Sequence, residues 1–258
     1  MIANYHTHTA RCLHAQDADE AYVKSAIVGG LQILGFSDHT PQWFSGDYYS
    51  NMRMRPEELG EYVQSVTDLG KKYAGEIKLH VGVEAEYYPA CFDRLVQELK
   101  DHGVEYMIMG QHWLGNEENE PYCGRPTTDV SLLQRYCDQV IAGMDTGYFT
   151  YVAHPDMFRF EGEDAAYEPH IRRLCRAANA NGVLLEVNLL GIRGGRHYPA
   201  ERFWRIAGEE NCKVILGSDA HQAGVIVNLQ AEQTALELVK KYGLDLQQTI
   251  ALRDIHKV

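Results

Sequence analysis

Histidines and carboxylates recur in this chain in pairs two residues apart: His6 and His8 in NYHTHT, Glu84 and Glu86 in GVEAEY, Asp219 and His221 in GSDAH. His39, His112 and His154 each follow a short apolar run, in FSDH, GQHW and AHPD. On an extended strand, residues i and i+2 project from one face, so His6 with His8, or Asp219 with His221, can reach one ion together. Neutral imidazoles beside Glu and Asp carboxylates form a donor set for Zn, Mn or Fe(II). Six or seven such histidines and two carboxylates exceed the needs of one ion, which points to a multinuclear centre. An isolated histidine is more often a hydrogen-bonded core or surface residue, and His80, His102, His170 and His256 are read in that way. Glu84 is taken as the ligand, with Glu86 on the same face supporting it.

The positions of these residues imply the fold. Candidate strands run over Ile2 to His8, Ile33 to His39, Lys78 to Glu86, Tyr106 to Trp113, Tyr151 to His154, Leu184 to Leu190 and Lys213 to Ser218. Between them lie helical patterns such as DADEAYVKSAIVGG, RPEELGEYVQSVTDLGKKYA, CFDRLVQELKDHG, VSLLQRYCDQVIAGM, EPHIRRLCRAANANG and PAERFWRIAGEEN. Seven strands alternating with helices, without a linker or composition shift, predict an α/β chain forming one parallel barrel over 1–258, with a doubly wound open sheet as the alternative. In such a barrel the C-terminal strand ends open on one face, so ligands scattered in sequence gather in space. The loops at 40–54 and 114–129 are long for their place, and the first, with Trp43, Phe44, Tyr48 and Tyr49, reads as a substrate lid or a packing flap.

Charge and composition exclude several classes. With 24 basic against 36 acidic side chains the net charge is -12, which disfavours an extended nucleic-acid partner but permits a local basic pocket. No run approaches 18 apolar residues and the N-terminus has no signal-peptide pattern, so no membrane partner and a cytoplasmic location are expected. Cys12, Cys91, Cys123, Cys137, Cys175 and Cys212 form no CxxC pair and are expected to be reduced thiols packed mostly in helices. The residues leave the oligomeric state open.

Taken in order, NYHTHT, FSDH, GVEAEY, GQHW, AHPD and GSDAH resemble the polymerase and histidinol phosphatase (PHP) superfamily across essentially the whole chain. The resemblance implies a distorted (β/α)7 barrel with three divalent metal ions, Mn, Fe or Zn. It implies that His6, His8, Glu84 and Asp219 hold a first ion, that Glu84 bridges to a second held by His112 and His154, and that His14, His39 and His221 hold a third. Asp38 would orient His39 or a water. His6, His8 and Asp219 are then the catalytic residues of a phosphoesterase, in which metals neutralise the phosphate and supply a nucleophile. The proton donor to the leaving alcohol stays open among Asp219, a metal-bound water and His197.

Within the superfamily, HPDMFRF and VNLLGIRGGRHYP look most like the stand-alone histidinol-phosphate phosphatases. That likeness implies a small phosphorylated substrate, L-histidinol phosphate, clamped by Arg159 and one of Arg193 or Arg196. His197 and Gln111 depart from the shared pattern and could adjust leaving-group recognition. Another small ester, such as a nucleotide or sugar phosphate, would fit the same site. An amidohydrolase-like hydrolase would also begin with HxH and end with Asp, but commonly bridges its metals with a carboxylated lysine, and no lysine closes a predicted strand between the second and sixth. A non-catalytic metal-holding module would bind the ions and release no phosphate.

Overall fold

The computed structural model describes residues 1–44 and 46–258; Ser45, within the loop 40–54, lies outside the described residues. Short strands and longer helices alternate as the hydrophobic pattern requires. They are β1 (Ala3–Asn4), α1 (Asp19–Val28), β2 (Ile33–His39), α2 (Leu59–Lys72), β3 (Lys78–Ala85), α3 (Phe92–His102), β4 (Tyr106–Met109), α4 (Val130–Asp145) and β5 (Phe149–Val152). The chain continues through α5 (Asp164–Asn181), β6 (Leu184–Asn188), α6 (Leu189–Arg193), α7 (Glu201–Glu209), β7 (Lys213–Gly217), α8 (Leu229–Tyr242) and β8 (Asp245–Leu246). Asp129 and Asn228 cap α4 and α8, each side chain accepting from a backbone N–H of the first turn.

The strands form one sheet in the order β1 to β8, every neighbouring pair parallel. The sheet curls until the segment after β1 meets the segment after β7: Thr7 bridges Ala220, His8 N–H donates to the Ala220 carbonyl at 3.0 Å, and Ala220 N–H returns to His6 at 3.3 Å. This is the distorted parallel barrel expected from the sequence, with an eighth strand added. β8 pairs only Asp245 with Lys213 and Leu246 with Val214, too short a run to mark the hydrophobic pattern.

Two apolar layers hold the curl. Tyr5, Tyr106, Ile108, Tyr151 and Ile215 fill the barrel interior, and the Tyr106 hydroxyl donates to the carbonyls of Tyr5 and Phe36. A larger layer between sheet and helices gathers side chains such as Leu34, Val83, Val140, Leu174 and Trp204. Burying these faces supplies the main driving force for the fold. No helix among the described residues is long and apolar enough to cross a membrane.

Several expected strands end early, and each time the freed segment carries a site residue. The expected strand from Ile2 to His8 keeps its ladder only at Ala3–Asn4 and the Thr7 bridge. Asn4 explains the break, since its Oδ1 accepts from the Ser218 backbone N–H and its Nδ2 donates to Thr7 Oγ1, replacing ladder bonds with side-chain bonds. β6 stops at Asn188 because that side chain accepts from Gly191 N–H and starts α6. The cysteines also correct the expectation. Cys137 and Cys175 lie within helices, but Cys123 is in the loop 114–129, Cys212 precedes β7, Cys91 caps α3 and Cys12 ends a single 3-10 turn. All six are free.

Candidate metal centre

The barrel's C-terminal mouth brings together the nine side chains His6, His8, His14, His39, Glu84, His112, His154, Asp219 and His221. Glu84 is at their centre, on β3 between Val83 and Ala85, whose side chains turn to the helix layer. Its Oε1 is 2.9 Å from His154 Nε2, 3.6 Å from His6 Nε2 and 3.7 Å from His112 Nε2. Its Oε2 is 3.1 Å from His39 Nδ1 and 3.6 Å from His8 Nε2. Asp219 Oδ1 approaches His8 Nε2 at 3.2 Å and His6 Nε2 at 3.6 Å. At the outer rim His14 and His221 face each other with 2.9 Å between their Nε2 atoms. Two of these residues, His154 and Asp219, have positive φ, 32° and 48°, a conformation non-glycine residues adopt only when the surroundings enforce it.

Donor sets whose ligand atoms lie within 4.8 Å of one another include His6–His8–Asp219, His6–Glu84–His154, His8–His39–Glu84 and His14–His39–His221. A further set, His8–Cys12–His221, brings in a cysteine the sequence did not single out. The donors fit a cation better than they fit one another. His39 Nδ1 and Glu84 Oε2 are both buried and 3.1 Å apart, yet neither has a hydrogen-bond partner. Buried polar atoms without partners are costly, and lone pairs converging on one point are what a divalent ion satisfies.

Electrostatics reinforce the fit. Burial alone would raise the carboxyl pKa of Glu84 and Asp219, but the surrounding imidazoles hold both well below the ordinary range. Burial keeps His39 well below its usual value and His221 down at about 3, so both rings are neutral and ready to ligate at pH 7. His6 and His8 go the other way: burial opposes their charge, but Glu186 and Asp219 raise His6, and Asp219 with Asp38 holds His8 at about 9.

Sequence reading missed the residues that fix these ligands. Glu186 on β6 accepts from His6 Nδ1 at 2.8 Å, and Asn188 Nδ2 spans Glu186 Oε2 and Asp219 Oδ2 at 2.9 and 3.0 Å. Both carboxylates need glycine neighbours: a Cβ at Gly110 would lie 1.9 Å from Glu84 Oε1, and one at Gly217 would lie 1.7 Å from Glu186 Oε1. The alternation ExN in LLEVN was the available signal for Glu186 and Asn188. Glu86 accepts from His112 Nδ1 at 2.9 Å, in the supporting place expected for it. Asp38 was expected to orient His39 but faces the His8 ring at 3.4 Å, while its bond to His39 is with the backbone N–H at 2.9 Å.

A cavity of about 490 Å³ opens beside the cluster, walled by Asn51, Met52, Tyr122, Met157, Leu190, Tyr198 and Arg196. The three candidate arginines separate here. Arg196 reaches the cavity, its Nη1 donating to Tyr198 Oη at 2.6 Å. Arg193 donates to the backbone carbonyls of Ser218 and Asp219, bracing the turn that presents Asp219. Arg159 pairs with Glu161 outside this cavity and is 42% exposed. His197 bonds to the Met157 carbonyl and Gln111 to backbone groups of Tyr87 and Trp113, so neither side chain lines the cavity. In the loop 40–54, Asn51 and Met52 reach the cavity while Trp43 packs beneath the Arg94 guanidinium at 4.2 Å.

Residues 4–189 match the PHP domain, nearly three quarters of the chain and every expected ligand except the last two. The chain belongs to the PHP domain family. Among relatives of this PHP domain, a probable histidinol-phosphatase of Deinococcus radiodurans is 28% identical over 236 residues, covering 87% of this chain and 88% of that protein. The histidinol-phosphatase of Bacillus subtilis is 23% identical over 252 residues, covering 85% and 93%. In fold, the domain is similar to a histidinol phosphate phosphatase of Lactococcus lactis solved with zinc, L-histidinol and phosphate. The TM-score is 0.74 at 19% identity, and 96% of each chain is covered.

Proposed function

We propose that this PHP domain is a metal-dependent phosphomonoesterase that hydrolyses L-histidinol phosphate to L-histidinol and phosphate, a step of histidine biosynthesis. The observation that carries the reading is the convergence of nine candidate ligand side chains at the barrel mouth, seven of which line one cavity together with Arg196. The relatives named histidinol-phosphatase and the L-histidinol and phosphate held by the Lactococcus protein support the choice of substrate. The chain acts as one unit over 1–258, because Asp219 and His221 come from the last third and their partners from the first. Six free cysteines fit a reducing, cytoplasmic setting.

His6, His8, Glu84 and Asp219 would hold a first ion, Glu84, His112 and His154 a second, and His14, His39 and His221 a third. Mn, Fe and Zn all accept this mixture of donors. Bound there, divalent ions offset the two negative charges of a phosphate monoester and lower the pKa of a bound water. The chain's own groups do the remaining work. Glu84 faces both inner donor sets and keeps them in register. Arg196 offers guanidinium N–H donors to non-bridging phosphate oxygens, and Arg193 fixes the backbone at Asp219. Asp219, which the surrounding imidazoles hold well below the usual carboxylate range, would serve as a ligand. Asn51, Met52, Tyr122 and Leu190 enclose that alcohol and restrict water around it.

The test is phosphate release from L-histidinol phosphate, nucleoside monophosphates, sugar phosphates and p-nitrophenyl phosphate under one metal condition. The reading expects kcat/KM for L-histidinol phosphate to exceed the others by about tenfold or more. Equal turnover of a nucleotide or sugar phosphate would keep the phosphatase and reject the substrate.

A further inference from the structure

Arg53, in the loop between β2 and α2, is 1% exposed, and all five of its N–H donors are engaged. Nε donates to Glu117 Oε2 at 2.9 Å, and Nη1 donates to the Thr40 carbonyl and to Glu86 Oε2, both at 3.0 Å. Nη2 donates to Glu86 Oε1 at 3.0 Å and to Glu117 Oε2 at 2.6 Å. Only a planar guanidinium satisfies this fork; an ammonium would leave at least two of the acceptor contacts unmade. Two carboxylates share one guanidinium, and a buried cluster of this kind is weak evidence for added stability.

Each arm of the fork ends at a different part of the site. Through Glu86 it reaches His112, whose Nδ1–H donates to Glu86 Oε1 at 2.9 Å and leaves Nε2 directed at Glu84. Through Glu117 it reaches the loop 114–129, where the Tyr48 hydroxyl donates to Glu117 Oε1 at 2.9 Å and Tyr122 lines the cavity. Asn51 and Met52, which directly precede Arg53, line the cavity beside Tyr122. One guanidinium therefore ties together a metal-ligand imidazole and both loops that wall the leaving-group side.

We infer that Arg53 is a positioning residue with two separable effects: through Glu86 it fixes the tautomer and orientation of His112, and through Glu117 it sets the distance between the walls carrying Asn51 and Tyr122. The second effect rests on the phosphatase reading; the first does not.

Glu117→Gln weakens one arm alone, and Arg53→Lys, which weakens both, is read through metal binding, to which the Glu86 arm leads. Glu117→Gln weakens only the link between the loops, so KM for L-histidinol phosphate rises by about tenfold, more than kcat falls, and inhibition by inorganic phosphate, which contacts no leaving-group wall, does not weaken in parallel. Arg53→Lys loosens His112, and calorimetric titration of the stripped protein with Zn or Mn then loses roughly 10- to 100-fold in affinity for one ion per chain. If Arg53→Lys fails to fold, judged by its circular dichroism and thermal melt, Glu86→Gln breaks the same link to His112 and is expected to give the same loss. The inference is overturned if KM in Glu117→Gln stays at the wild-type value or shifts equally with the phosphate inhibition constant, or if the folded variant on the Glu86 arm binds every ion as the wild type does. Wild-type protein that releases no phosphate from any ester would instead defeat the phosphatase reading, and the metal titration would still decide the role of Arg53.

Discussion

His6 Nδ1 lies 2.8 Å from Glu186 Oε1, a contact that joins the first strand's end to the sixth strand across the barrel. Once the ring is neutral, this contact selects the tautomer whose Nε2 is bare toward Glu84 and Asp219, and partners of this kind govern how well a ring ligates. Glu186→Gln keeps the shape and removes the charge. Its metal affinity is expected to fall by roughly 10- to 100-fold while the fold persists. Metal content after dialysis, read beside the melting temperature, checks this; a variant that keeps all its metal would show that Glu186 is dispensable.

Arg196 and Arg159 should respond oppositely to truncation. Arg196 faces the cavity, and losing a charge-assisted bond to phosphate costs about 1.5–3 kcal/mol, so Arg196→Ala should raise KM by roughly 10- to 100-fold. Arg159 is paired with Glu161 at the surface, and Arg159→Ala should change KM by less than about threefold. Steady-state kinetics on both variants decide the matter, and a large defect in Arg159→Ala would mean that this side chain swings inward when substrate binds.

Protons compete with metal for two of the ligands. His8 is held at about 9, against burial, by Asp219 and Asp38, and His6 is raised as well, so in the metal-free protein both rings are charged at pH 7. His39 and His221 are neutral there and have no proton to lose. Metal affinity therefore rises with pH above 7 and through about 9, as His8 gives up its proton. The same shift acts on the metal-free fold with the opposite sign: the raised folded-state pKa of His8 adds stability below about 6.5 that disappears as pH climbs through about 9. Calorimetry at pH 7 in buffers of different ionisation enthalpy should record net proton release on metal binding; proton uptake or no exchange would contradict this.

Most of the candidate ligands were legible because their signal is local: an apolar run ending in His, or a pair spaced by two, survives whatever the loops do. His6, His8, Glu84 and Asp219 needed only strand alternation and the barrel's polarity. The supporting residues were less legible. Glu186 is defined by an imidazole 180 residues away. Arg53 looks like any loop arginine until Glu86 and Glu117 close around it. Arg159 was less legible for the related reason that its place after a strand does not fix where a long side chain points, and here it pairs with Glu161 two residues on. β8 and α6 were missed because two- and five-residue elements contain too little of a period to read.

The central claim is that the clustered histidines and carboxylates act through metal, and a metal titration of activity tests it most directly. Protein stripped by chelator and resupplied stepwise with Mn, Zn or Fe(II) should release phosphate from L-histidinol phosphate in proportion to the metal bound, reaching a plateau as the donor sets fill, and Glu84→Gln should lose roughly a thousandfold in kcat. Stripped protein that hydrolyses the ester as fast as the reloaded protein, or a Glu84→Gln variant with wild-type turnover, would contradict it.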